Sequence, residues 1–130
     1  MVKQKGFTII ELLVVITILS ILTSSIIILV KPQEMRNRAQ DAVRKQDVSV
    51  IAGSLERYYA DNNSYPDPAS LPANPDEFSA NGVVYLKIMP KDPDGNNYVY
   101  TQDTTQDFSI CTTLEVPGTE TNPFCIENAF

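Results

Sequence analysis

Residues 7–30 form one apolar run in which Glu11 is the only ionisable side chain. The run exceeds the roughly 20 apolar residues that an α-helix needs to cross hydrocarbon, and it predicts a membrane-spanning helix. From residue 31 the pattern changes. Met35, Ala39, Val43, Val50, Leu55 and Tyr58 recur at roughly helical intervals between charged residues, which predicts an amphipathic helix continuing the span to residue 62. Pro32 lacks an N–H and is expected to bend or loosen the join, and Asn62-Asn63-Ser64-Tyr65-Pro66 supplies a stop. Unbroken, such a helix would be about 84 Å long at roughly 1.5 Å per residue. Beyond it, residues 67–75 read as a proline-rich connection, and residues 97–102 and 108–116 as strands. In the second strand Phe108, Ile110, Thr112 and Leu114 alternate with Ser109, Cys111, Thr113 and Glu115, so that one face is expected to pack on the helix. The fold class expected is α+β: a long N-terminal helix packed on a small antiparallel β-sheet head.

A chain of 130 residues leaves room for one small head and no second large core. Its two cysteines, Cys111 and Cys125, are spaced too widely for a C-x-x-C motif, and the chain has no histidine to complete a zinc site. A structural disulfide is the favoured reading, and it would place the C-terminal part in an oxidising compartment. Charge is uneven. Residues 31–57 carry six basic and four acidic groups, and residues 58–130 two and eleven, giving a basic stem and an acidic head. An acidic head repels phosphate backbones, which speaks against nucleic acid as a partner.

Glu11 needs an explanation, because a charge inside a bilayer helix costs about 2.5–3.5 kcal/mol on insertion scales. A secretory signal peptide does not fit: Thr23-Ser24-Ser25 is followed by more apolar sequence where cleavage would fall. An ordinary signal anchor accounts for everything except Glu11 and the position of Gly6; interfacial snorkelling of Glu11 is the plain alternative.

The stretch Lys5-Gly6-Phe7-Thr8-Ile9-Ile10-Glu11-Leu12-Leu13-Val14-Val15 resembles the class III signal of type IV pilins and type II secretion pseudopilins. Two further patches resemble the same family: Tyr58-Tyr59-Ala60-Asp61-Asn62-Asn63-Ser64-Tyr65-Pro66, and Pro90-Lys91-Asp92-Pro93-Asp94-Gly95-Asn96-Asn97-Tyr98-Val99-Tyr100. The resemblance implies a leader, residues 1–6, cut between Gly6 and Phe7 by a membrane-embedded prepilin peptidase that also N-methylates Phe7. Residues 7–30 would then be the transmembrane and later filament-core helix, 31–62 the amphipathic half of the same helix, and 63–130 a β head with a C-terminal disulfide loop. Glu11 becomes the fifth mature residue, the family's acidic assembly position, paired with the freed amine of a neighbouring subunit. One departure stands out: many type IV pilins carry a proline at the mature position of Ile28, whereas here the proline is Pro32.

Catalysis has little material, with no histidine, no G-x-S-x-G and no Walker loop; no enzyme, cofactor or metal is expected. Asp92-Pro93-Asp94-Gly95-Asn96 offers carboxylates in a turn, and the resemblance implies calcium in the C-terminal loop of some pseudopilins, but the turn lacks the downstream glutamate of an EF-hand. Asn62-Asn63-Ser64 matches a glycosylation sequon and reads more simply as a helix stop. Lysines and arginines flanking the span (Lys3 and Lys5 against Lys31, Arg36, Arg38, Arg44 and Lys45) would by count put the head in the cytoplasm. Large C-terminal domains cross regardless of such charge, and the cysteines and the resemblance place the head outside. The function expected is a structural subunit of a bacterial type IV pilus or type II secretion pseudopilus: single-pass in the inner membrane, then a homo-oligomeric filament. The resemblance implies an assembly ATPase and a platform protein as further partners. The alternative is a membrane-anchored minor pilin that binds a surface, DNA or a secreted substrate.

Overall fold

The computed structural model describes residues 6–29, 31–116, 118 and 121–128, with the side chains of the first helix described as far as Ser24. The chain divides into two compact units, the first ending at Met35 and the second starting at Arg36.

In the first unit, α1 (Ile9–Leu29) is built largely from isoleucine, leucine and valine. β-Branched residues are indifferent helix formers in water, so propensity alone does not make this helix. What the sequence does supply is internal partners for the first amides and for the hydroxyls of Thr17, Ser20, Thr23 and Ser24. Thr8 caps the start: its Oγ1 accepts the Glu11 N–H at 3.3 Å and its carbonyl the Leu12 N–H at 3.2 Å. Thr17, Ser20, Thr23 and Ser24 donate their hydroxyls to the carbonyls of Val14, Ile16, Leu19 and Ile21 at 2.7–2.8 Å. Among the described residues no helix is long and apolar enough to cross a membrane; the described side chains of α1 stop at Ser24, whereas the apolar run of the sequence continues to Val30.

A bent or loosened join was expected at Pro32, and there the described residues divide into two helices. α2 (Pro32–Asn62) begins at a proline in the first helical position, and Lys31 before it has φ 40°. The missing N–H of Pro32 is harmless at a helix start, and its ring keeps the preceding residue out of the right-handed helical conformation, although the positive φ of Lys31 is not the extended value that proline favours. The Lys31 carbonyl then accepts from Glu34 and Met35 at 3.0 and 3.3 Å.

The second unit corrects the apolar stripe expected on α2. Met35, Ala39, Val43 and Val50 are exposed, Leu55 is buried and Tyr58 half-buried. The buried stripe is Asp41, Arg44, Val48, Ile51 and Leu55, spaced 3, 4, 3 and 4 residues apart, with Ala52 and Ser54 beside it. Its first two positions are charged, so hydrophobic periodicity could not find it. Val48, Ile51, Ala52 and Leu55 meet Tyr65, Phe78, Tyr85, Met89, Phe108 and Ile110 in one core. Aromatic contacts close the far end, with Tyr59 on Tyr65 and Tyr65 on Phe108 both at 4.7 Å between ring centroids. The helix ends at Asn62; Asn63 takes φ 54° and returns its N–H to the Tyr59 carbonyl at 2.8 Å, a left-handed cap.

Two antiparallel sheets pack on this helix. β1 (Phe78–Ala80) and β2 (Val83–Leu86) form a hairpin turned by Asn81-Gly82, both at positive φ as the tight turn requires. The larger sheet runs β3 (Val99–Thr101), β4 (Ser109–Thr112) and β5 (Phe124–Glu127), with β4 central. β4 is shorter than expected, yet Phe108, Ile110, Thr112 and Leu114 are all buried, the face the alternation predicted. Tyr98 ties the β3 edge to α2 through its hydroxyl, which donates to Asp47 Oδ2 at 2.7 Å.

Candidate functional site

Gly6, Phe7 and Glu11 lie within the first turns of the described chain, all exposed. The leader residues before Gly6 lie outside the described residues. A Cβ built on Gly6 would meet no atom within 4 Å, and its φ is not in the left-handed region. Nothing among the described residues therefore demands glycine there. Phe7 is 84% exposed. Glu11 sits in the third helical position, where a carboxylate also complements the partial positive charge of a helix start. Together with Thr8 it completes the T-x-x-E spacing of a capping box. From Ile9 to Leu22 the large apolar side chains of α1 are 47–87% exposed, a surface far too apolar to be left to water.

Cys111 and Cys125 belong to a different part of the molecule. They are direct partners in the β4–β5 register, with Cα atoms 4.1 Å apart, and they are joined by a disulfide. The bond fastens the last strand to the central one.

The head also contains a charged centre that sequence reasoning missed. Arg44, 1% exposed, donates from Nη1 to Asp41 Oδ1 at 2.8 Å and from Nε and Nη2 to the two oxygens of Asp92 at 2.9 and 3.3 Å. Nη2 also reaches Asp94 Oδ2 at 2.6 Å, and Glu115 Oε1 stands 3.8 Å away. Asp41 in turn accepts the backbone N–H groups of Glu115 and Val116, both at 2.9 Å. Burial pushes the Asp41 carboxyl up, but those two N–H groups and Arg44 outweigh it and hold it below the usual carboxylate range. Asp92 behaves alike: burial raises it, and Arg44 with the Asp94 N–H brings it below its ordinary value. Its hydrogen bond to Asp92, opposed by burial, raises Arg44. The one sequence signal for this centre was the Asp41–Arg44 spacing of three, which reads equally as an exposed helix pair.

The turn Asp92-Pro93-Asp94-Gly95-Asn96 is closed by its own bonds, with the Gly95 N–H on the Asp92 carbonyl at 2.7 Å and the Asp94 N–H on Asp92 Oδ1 at 2.9 Å. Among the described residues no cluster of acids or cysteines has the arrangement to hold a metal ion. The Asn62 amide of the sequon is engaged, donating to the Tyr58 carbonyl at 2.9 Å and the Tyr85 hydroxyl at 3.2 Å.

Comparison with known proteins separates the same two segments. Residues 1–27 match the prokaryotic N-terminal methylation motif, and residues 32–128 match the family described as type II secretion system (T2SS), protein G. The chain is 41% identical over 108 residues to the type II secretion system core protein G of Pseudomonas aeruginosa, covering 75% of this chain and 73% of that relative. It is 34% identical over 107 residues to the protein of the same name from Vibrio cholerae, covering 75% and 70%. The Escherichia coli K12 protein of that name is 34% identical over 109 residues, covering 75% and 71%. No solved structure matches.

Proposed function

Because the chain belongs to the family of type II secretion system protein G, we propose that it is the repeating structural subunit of a type II secretion pseudopilus, made as a precursor and assembled through its N-terminal helix. The observation that carries this reading is the union, in one chain, of a methylation motif over residues 1–27 with a protein G head over residues 32–128. Assembly rather than catalysis is the activity.

Each physical feature of the first unit then has a use. Gly6 is dispensable to the described chain itself, which leaves recognition by the prepilin peptidase as its role; cutting follows it and methylation falls on Phe7. Residues 7–30 anchor the subunit in the inner membrane with the head outside the cytoplasm. The hydroxyls of Thr17, Ser20, Thr23 and Ser24 are satisfied within the helix, so they cost little in lipid. On assembly, lipid contacts of α1 are exchanged for helix contacts of similar polarity. The hydrophobic effect offers little net drive for that exchange, so energy must come from an assembly ATPase acting through a platform protein. Glu11 supplies direction: its carboxylate pairs with the methylated amine of Phe7 on an adjoining subunit, an attraction that strengthens as water is excluded.

Intact mass of the subunit purified from membranes and from sheared filaments tests the processing. The expected mass is that of residues 7–130 with one methyl group and one disulfide. A chain that keeps residues 1–6, or that is cut near Ser25, rules the reading out. Electron microscopy of cells overexpressing the subunit separates it from the tip-bound minor pilin: a repeating subunit gives filaments, a tip module does not.

A further inference from the structure

The resemblance implies calcium in the C-terminal loop of some pseudopilins, and the described residues do not fit such an ion. Calcium takes six to eight oxygens at about 2.3–2.6 Å. Among the described residues, three carboxylates close to that loop, Asp41, Asp92 and Asp94, are already bonded to a guanidinium. Both oxygens of Asp92 face Arg44, at 2.9 and 3.3 Å, and Asp94 and Asp41 complete the ring at 2.6 and 2.8 Å. A divalent cation drawn to these oxygens would meet the Arg44 positive charge at the same place.

We propose that Arg44 is a built-in cation of the head, doing for the start of the C-terminal loop what a bound divalent ion would do, so that the order of the backbone at Glu115 and Val116 does not depend on calcium. The connection runs through shared atoms. Asp41 Oδ1 accepts both Arg44 Nη1 and the Glu115 N–H, and Asp41 Oδ2 accepts the Val116 N–H. Arg44 thus fixes Asp41, and Asp41 fixes the backbone where the chain leaves β4. On the other side the same guanidinium holds the 92–96 turn that precedes β3. Asn122 repeats the arrangement a few residues on, with its side chain bonded to both the N–H and the carbonyl of Leu114 at 3.0 and 3.1 Å. One buried cation therefore joins α2 to two loops that are about fifty and seventy residues away in sequence, a separation read from Arg44 to Asp92 and Asp41 to Glu115.

Arginine is required for this, because only its planar fork reaches Asp92 with two N–H groups while presenting others to Asp41 and Asp94. A lysine keeps the charge and loses the fork. Removing the guanidinium altogether leaves buried carboxylates without a counter-charge, the costly way to break an ion network.

The test uses the full chain in detergent micelles at neutral pH, with hydrogen exchange read at the Glu115 and Val116 amides. In the parent, exchange at both amides is expected to be the same in excess calcium and in excess chelator. Arg44→Met is expected to raise it by more than about tenfold, and Arg44→Lys to give an intermediate rise, while the β3–β4–β5 amides change less. Slower exchange of these two amides in calcium than in chelator overturns the proposal, as does unchanged exchange in Arg44→Lys. The lysine variant keeps the experiment decisive if Arg44→Met fails to fold.

Discussion

The two units of this chain use charge in opposite ways. In α1 a single carboxylate, Glu11, stands on an apolar and exposed helix, and the role proposed for it needs a partner that another subunit brings. In the head a single guanidinium, Arg44, is sealed at 1% exposure and is surrounded by carboxylates from its own chain. A charge in an apolar segment is costly unless something pairs with it, whereas one ringed by partners from its own chain is already compensated within the fold.

The largest effect expected is at Gly6. Replacement by a bulky residue such as Gly6→Leu should abolish cleavage and filaments while leaving the head's unfolding midpoint unchanged, since a Cβ at Gly6 meets no described atom. A shifted midpoint in that variant would show that Gly6 also matters to the stability of the head. Next comes the bond between β4 and β5: Cys125→Ser should cost the head about 2–5 kcal/mol, read as a lower denaturation midpoint, with full alkylation of Cys111 in the folded variant. Stripe positions of α2 follow. Leu55→Ala should cost about 2–5 kcal/mol, whereas Val43→Ala, on the exposed back of the helix, should stay within about 0.5 kcal/mol. Equal losses at the two positions would restore the stripe first expected from hydrophobic spacing.

The smallest effect is acid sensitivity. Asp41 and Asp92 are held below the ordinary carboxylate range when folded. Their contribution to stability is therefore full above the unfolded carboxylate pKa of about 3.9 and is lost as pH falls through the lower folded values. Asp41→Asn should flatten the acid limb of a stability–pH curve. A limb as steep as the parent's would take Asp41 out of the account.

Legibility in the sequence followed the same division. The N-terminal methylation motif and the β4 alternation were readable because each is written in consecutive residues whose period or composition carries the signal. The helix stop at Asn62 was readable for the same reason, through a local turn sequence. The stripe on α2 was not. Its first positions are Asp41 and Arg44, whose burial depends on Asp92, Asp94 and two amides near residue 115, and no local pattern announces partners so distant. The β1–β2 hairpin was overlooked although Asn81-Gly82 between short apolar runs is a strong turn signal. β5 escaped because Phe124–Glu127 is too brief to show a period. A bend or loosening was expected at Pro32; among the described residues the positive φ falls on Lys31, just before it.

The proposed action of Glu11 between subunits is tested most directly by a paired measurement on Glu11→Val. Mature subunit in the membrane fraction is followed by immunoblot, and sheared filaments are collected from the same cells. Removing the carboxylate lowers the cost of the helix in lipid, so membrane levels should equal or exceed the parent's, cleavage after Gly6 should persist, and filaments should be lost. Normal filament yield from processed Glu11→Val subunits would contradict the account and leave Glu11 as no more than a carboxylate in the first turn of a helix.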